Sequence, residues 1–367
     1  MRTMSDFIVS ARKYRPLSWD SVVGQKSITD TLSNAIQSNQ LAHAYLFCGP
    51  RGVGKTTCAR IFARSVNMEN GKALESQDFN VFELDAASNN SVDDMRQLTD
   101  QVRIPPQNGT YKVYIIDEVH MLSSNAFNAF LKTLEEPPSH AIFILATTEK
   151  HKIIPTILSR CQIFDFNRIQ VQDIVLHLKE IAEQENIQAE TEALGVIAQK
   201  ADGALRDALS LFDQLASFTG KNLTYAAVLE NLNILDYDYY FRITLNLIDN
   251  QIHPALLVFD EILSLGFDGR HFVNGLAAHF RNLLVCKDSS TIQLLDTGEE
   301  VKQLYKDQSS KASDHFLFKG IELLNQTDID FKASKNQRLL VELALMQLCS
   351  ITAVDEKKKL TPKAVTV

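Results

Sequence analysis

Gly49-Pro50-Arg51-Gly52-Val53-Gly54-Lys55-Thr56 is spaced to hold a chain of phosphates. Its glycines let backbone N–H groups curl around anionic oxygens, and the helix expected to start at Thr56 adds the positive end of its dipole. Lys55 would reach the β- and γ-phosphates and Thr56 would give an oxygen to Mg²⁺, with Gly49, Gly52, Val53, Gly54 and Thr57 completing the binding segment. Further on, Val113-Tyr114-Ile115-Ile116 runs into Asp117-Glu118. Asp117 would hold Mg²⁺ through water, and Glu118, beyond the strand end, would polarise an attacking water. Alone, the first motif is a glycine turn with an exposed lysine and the second a strand leaving the core. Together they read as a hydrolytic pair, since each supplies what the other needs to hold nucleotide and metal. Thr148, Arg160 and Arg206 are further candidates for reading a γ-phosphate. Their bland alternatives are a strand-end threonine, a surface arginine paired with a carboxylate, and a salt bridge to Asp202 or Asp207.

The elements that must position these residues follow from the apolar pattern. Ala44 to Cys48, Val81 to Asp85, Lys112 to Asp117, Ala141 to Thr147 and Gln162 to Phe166 read as strands separated by helix-length stretches or loops. That alternation predicts βαβ units and a mostly parallel sheet, with ligands at the carboxyl ends of the strands. One helix is bounded by a cap at Ser123 and a stop at Pro137, with Phe127, Phe130, Leu131 and Leu134 on its buried face. From Val171 the spacing becomes helical, and it recurs over Leu205 to Phe218, Tyr237 to Ile248, Pro254 to Leu265, Phe272 to Val285 and Leu339 to Ala353. A stretch rich in Asn and Asp interrupts the rhythm near Leu232 to Leu235, and the last residues carry charge and proline with little to bury.

Composition narrows the class. With 367 residues, two or three domains are expected, and 14 Gly with 9 Pro are too few for an all-β chain. Apolar runs such as Ala141 to Ala146 fall short of a membrane span, and the start MRTMSDFIVSARKYRP has no apolar block of signal-peptide length. A cytoplasmic protein without a membrane partner is therefore expected. Five scattered cysteines fit buried free thiols better than a disulfide framework or a thiolate metal knot. The net charge of -8 is unevenly spread: residues 1–170 hold 18 basic and 17 acidic side chains, and 171–354 hold 15 and 26. A domain-wide basic excess is absent, so any contact with DNA must be local or shared with partners.

The blocks ARKYRPLSWDSVVGQ, HAYLFCGPRGVGKTT, DAASNNSVDDMR, KVYIIDEVHMLS, FNAFLKTLEEPP, ATTEKHKIIPTILSRC and GALRDALSLFDQ, in this order over residues 11–216, resemble the γ/τ subunits of the bacterial DNA polymerase III clamp loader, a branch of the AAA+ ATPases. The resemblance implies an α/β P-loop NTPase domain over 1–170, a small helical lid over 171–233 and an all-α collar over 234–354 that assembles subunits, and the composition of 355–367 makes that stretch a linker or disordered tail. It gives Thr148 the sensor-1 role, Arg160 that of an arginine finger acting on a neighbouring subunit, and Arg206 the sensor-2 role in the lid. Tyr14, Arg15 and Pro16, with Val22 and Val23, become the wall of an adenine pocket. The implied activity is ATP hydrolysis with Mg²⁺, driving the opening of the β sliding clamp and its loading on primed DNA, in a complex with δ, δ′ and further γ/τ copies at the replication fork. No polymerase chemistry of its own is implied for this subunit of a DNA-directed DNA polymerase.

The chain departs from that family in one interval. SVNMENGKALESQDFN has no cysteine where the family usually carries a four-cysteine zinc module, so a zinc site is excluded here on ligand count. After DAAS it has Asn89, Asn90 and Ser91 where relatives are basic, keeping Arg96. Three other readings compete: a replication factor C small subunit, a δ′-like scaffold without hydrolysis, and a hexameric translocase moving on DNA. The motifs DEVHML and KTLEEPP disfavour the first, and intact Lys55, Thr56, Asp117 and Glu118 disfavour the second. The third is disfavoured by helical patterning where a DNA-reading winged helix would stand.

Overall fold

A computed structural model describes residues 8–68, 80–232, 234–295 and 299–360, and the chain divides into two compact units between Leu223 and Thr224. In the first unit, strands β1 (Ala44–Cys48), β2 (Val81–Asp85), β3 (Lys112–Asp117), β4 (Ala141–Thr147) and β5 (Gln162–Asp165) form one parallel sheet in the order β2-β3-β4-β1-β5. This is the parallel α/β sheet that the strand pattern predicts. β4 lies between β3 and β1, so the residues after β4 emerge between the P-loop and the Asp117-Glu118 pair.

Side chains along each strand alternate between two cores. Leu46, Tyr114, Ile116, Phe143 and Leu145 face helices Val92–Val102 and Ser124–Glu135, where they meet Met95, Phe127 and Phe130. Tyr45, Phe47, Val113, Ile115, Ile142 and Ile144 face helices Lys26–Gln37 and Lys55–Ser65, meeting Leu32, Cys58 and Phe62. Being covered on both sides, β1 and β4 are buried at every residue, which is why they read as unbroken apolar runs. Ser123 caps its helix as expected, its Oγ accepting from the Ala126 N–H at 3.2 Å, an arrangement worth about 1 kcal/mol.

Three helices follow the sheet, Val171–Gln184, Thr191–Lys200 and Leu205–Phe218. They carry a small addition that the period change at Val171 does not signal: Gln188–Ala189 pairs in parallel with Asn222–Leu223. Two residues per strand are too few to leave an alternation in the sequence.

The second unit is helical, comprising Tyr225–Leu232, Tyr237–Ile248, Ile252–Ser264, Gly269–Val285, Glu299–Lys311, Asp314–Phe331 and Gln337–Leu360. Its core gathers Phe259, Phe272, Phe280, Phe316 and Leu348. The final helix runs to Leu360, past the point at 355 where a tail is expected, and 361–367 lie outside the described residues. No helix among the described residues is long and apolar enough to cross a membrane. Cys48, Cys58, Cys286 and Cys349 are buried and Cys161 is half-buried. Burial pushes the thiols of Cys58 and Cys161 up to about 12, so both stay protonated.

Candidate active site

The P-loop leaves β1 through a backbone that only glycine accommodates. At Gly49 φ is +146°, and a Cβ there would stand 2.4 Å from the carbonyl oxygen of Phe166. Gly54 caps helix Lys55–Ser65 in the left-handed region at φ +104°. The loop thereby wraps over the helix's first turn, whose unpaired N–H groups make an anion site.

Lys55 is only 6% exposed, and its Nζ donates to the carbonyls of Gly49 and Pro50 at 2.7 Å each. Burial lowers its pKa from the ordinary lysine value, against the pull of Glu118 and then Asp117. The ammonium is thus pinned at the mouth of the loop, facing two carboxylates that favour its charge. Thr56 Oγ1 donates to Asp117 Oδ2 at 2.8 Å, joining the helix start to the end of β3. A hydroxyl oxygen beside a carboxylate suits a hard cation, which Thr56 would ligate directly and Asp117 would hold through water.

Glu118 occupies the left-handed region at φ 48°, which turns its side chain out of the strand line. Its Oε2 accepts from the Thr148 N–H at 3.3 Å and from Thr148 Oγ1 at 3.1 Å. His120, not singled out in the sequence, packs beside it, with Nδ1 3.0 Å from Thr147 Oγ1 and 3.5 Å from Glu118 Oε2.

One cleft gathers most of the sequence candidates. It is lined by Tyr14, Arg15, Pro16, Val22 and Val23, by Gly52 to Thr57, and by Asp117, Glu118 and Arg206. Arg206 is exposed and makes no ion pair among the described residues; Asp202 instead pairs with Arg168. The Arg206 N–H approaches the Gly52 carbonyl at 3.4 Å, and a Cβ on Gly52 would touch Ala204 at 3.0 Å, so helix Leu205–Phe218 starts directly on the P-loop. Thr148 and Arg160 are not on the cleft wall. Thr148 reaches it through Glu118, whereas Arg160 pairs with Glu135 at 2.7 Å and donates to the Thr156 carbonyl at 2.8 Å.

Ala11, Arg51, Ile169, Leu205 and Leu209 also line the cleft and were not anticipated, except that Arg51 lies inside the P-loop pattern. Four of them are apolar residues that converge only on folding. The cysteine-free interval in which zinc is expected to be missing falls largely at 69–79, outside the described residues.

Residues 24–170 match a model described as DNA polymerase III, delta subunit, and residues 173–221 one described as DNA polymerase III clamp loader subunit, ATPase lid domain. The chain is 42% identical over 351 residues to the DNA polymerase III subunit tau of Bacillus subtilis, covering 92% of this chain and 62% of that protein. It is 34% identical over 371 residues to the DNA polymerase III subunit gamma of Buchnera aphidicola, covering 94% of this chain and 98% of that protein. Among solved structures, the Thermotoga maritima RuvB Holliday junction branch migration motor matches at TM-score 0.49 and 22% identity, over 64% of this chain and 79% of that one.

Proposed function

Because the chain belongs to the gamma/tau family of DNA polymerase III subunits, we propose that it is an ATP-driven motor subunit of a clamp loader. The observation that carries this is the cleft in which Lys55, Thr56, Asp117, Glu118 and Arg206 converge. Its work would be to open the β sliding clamp and place it on primed DNA, together with δ, δ′ and further copies of its own kind. Residues 1–170 would be the ATPase domain, 171–233 the lid, and the helices from 234 to 354 the collar.

In this reading, Tyr14, Arg15, Pro16, Val22 and Val23 receive the adenine, and the amides of Gly52 to Thr57 receive the phosphates. Lys55 neutralises charge at the β- and γ-phosphates, and Thr56 with Asp117 would hold Mg²⁺, which spreads charge off the phosphoryl oxygens. Glu118 accepts a proton from the attacking water, and Thr148 fixes the direction of that carboxylate. Arg206 contacts the γ-phosphate from the lid, so that lid position reports nucleotide state. Arg160 serves a neighbouring subunit. Binding would favour an oligomer that grips clamp and DNA, and hydrolysis would release it. The setting is cytoplasmic, and zinc plays no part.

The test separates binding from chemistry. Lys55→Ala should lose ATP binding by calorimetry, whereas Glu118→Gln should bind ATP and hydrolyse it at least about a hundredfold more slowly, the scale of a lost general base. Equal ATP affinity in wild type and Lys55→Ala would remove the assignment.

A further inference from the structure

The wall of the cleft nearest the N-terminus is held from the lid side. Helix Ser10–Lys13 has four residues, too few to be stable by its own hydrogen bonds. Ser10 is nonetheless 5% exposed, and its N–H donates to Asp213 Oδ2 at 2.6 Å while its Oγ donates to Oδ1. Both oxygens of one carboxylate are thus spent on the first residue of the short helix, where negative charge also suits the helix end. Asp213 lies on Leu205–Phe218, one turn beyond Leu209 and two beyond Arg206, which both line the cleft. At the other end of the segment, Glu185 Oε1, just past helix Val171–Gln184, accepts from Tyr14 Oη and from Lys13 Nζ. The same few residues carry Ala11, Tyr14, Arg15 and Pro16 into the cleft.

We propose that Ser10–Tyr14 is a strap through which the lid sets the base-side wall of the cleft, with Asp213 and Glu185 as positioning residues for the nucleotide base. This rests on the nucleotide reading of the cleft. Affinity for the base then depends on lid position, independently of the phosphate contacts of Lys55 and the P-loop amides. Lid movement that carries Arg206 also moves Tyr14, so phosphate sensing and base grip change together.

The experiment measures ATP and inorganic tripolyphosphate binding to the full chain by calorimetry and competition, for wild type, Asp213→Ala, Asp213→Asn and Glu185→Ala, with thermal melting of each. Losing a charge-assisted pair of hydrogen bonds should weaken ATP about tenfold in Asp213→Ala. Tripolyphosphate should stay within about twofold of wild type in the same variant, being held by the phosphate contacts alone. Asp213→Asn, which keeps an acceptor for Ser10, should recover most of the ATP affinity. Glu185→Ala, on the solvated rim, should show the same ATP-selective loss at smaller size and keeps the test open if Asp213→Ala melts early. Unchanged ATP affinity in both alanine variants, or equal loss for ATP and tripolyphosphate, would overturn the strap. Wild-type chain that binds neither would instead remove the nucleotide reading, and the strap with it.

Discussion

Arg160 and Arg206 show two ways in which an arginine leaves the sequence undecided. Either fits a surface ion pair or a phosphate contact, and neighbouring residues do not choose between them. Folding separates the two, because helix Leu205–Phe218 starts on Gly52 and leaves Arg206 on the cleft without an ionic partner among the described residues, whereas Arg160 reaches Glu135. Lys55, Thr56, Asp117 and Glu118 were legible for the opposite reason, since their roles are written in local spacing. Asp213 and Glu185 carry no such spacing; Asp213 is 203 positions from Ser10 and Glu185 is 171 from Tyr14, and each pair meets only on folding. For Arg160, a finger acting on a neighbour predicts that Arg160→Ala leaves the ATP affinity of its own site intact and slows hydrolysis in oligomers by about 10³-fold or more. Breaking an exposed ion pair alone would change stability by at most about 1 kcal/mol. Mixed with Lys55→Ala chains, Arg160→Ala chains should regain ATPase above the sum of the two alone. Mixed oligomers that form yet show only that sum would exclude action in trans.

At the scale of elements, the central strands β1, β3 and β4 were readable because strands covered on both faces are apolar almost throughout. Helices Glu299–Lys311 and Asp314–Phe331 were not, and the reasons differ. EEVKQLYKDQSSK is mostly polar, and three of its buried positions are Tyr305, Gln308 and Ser309. The other helix has glycine in its middle, Gly320, where a Cβ would stand 2.4 Å from the Phe280 ring, so close packing replaces helix propensity. The polar contacts of Glu299–Lys311 have a measurable consequence. His279 is 2% exposed, with Nε2 2.8 Å from Gln308 Oε1 and Nδ1 3.2 Å from Tyr305 Oη. Gln308 Nε2 donates to the Phe241 carbonyl, so Oε1 faces the ring, Nε2–H donates and Nδ1 accepts. Tyr240 and Phe241 pack against the same ring. Burial pulls the His279 pKa down from 6.5 to about 4, the Gln308 bond opposing it. Between those values the unfolded chain takes a proton that the folded one refuses. Stability is therefore full above pH 6.5, falls as pH drops through the window, and levels off below about 4, by on the order of 3 kcal/mol. Denaturant unfolding of the helical unit from pH 7 to 4 should show this slope, and His279→Gln should flatten it; an unchanged slope would show that other groups cause it.

Across the whole molecule, the second unit leaves apolar side chains in solvent. Leu257 is 70% exposed, Phe318 62%, and Leu339 and Leu343 46% each. Arg338 joins Asp260 at 2.9 Å, tying helix Ile252–Ser264, which carries Leu257, to Gln337–Leu360, which carries Leu339 and Leu343. A collar would cover such faces with further copies, so residues 224–367, which have their own core, should sediment as oligomers without the ATPase half. A folded monomer at high concentration would count against that role. The central claim, a nucleotide-driven grip on a sliding clamp, is tested most directly by retention of labelled β clamp on a complex of this chain with δ and δ′, in ATP and in ADP. The account predicts retention in ATP, release in ADP, prolonged retention with Glu118→Gln and none with Lys55→Ala. Retention that ignores the nucleotide, or that Lys55→Ala leaves unchanged, would contradict it.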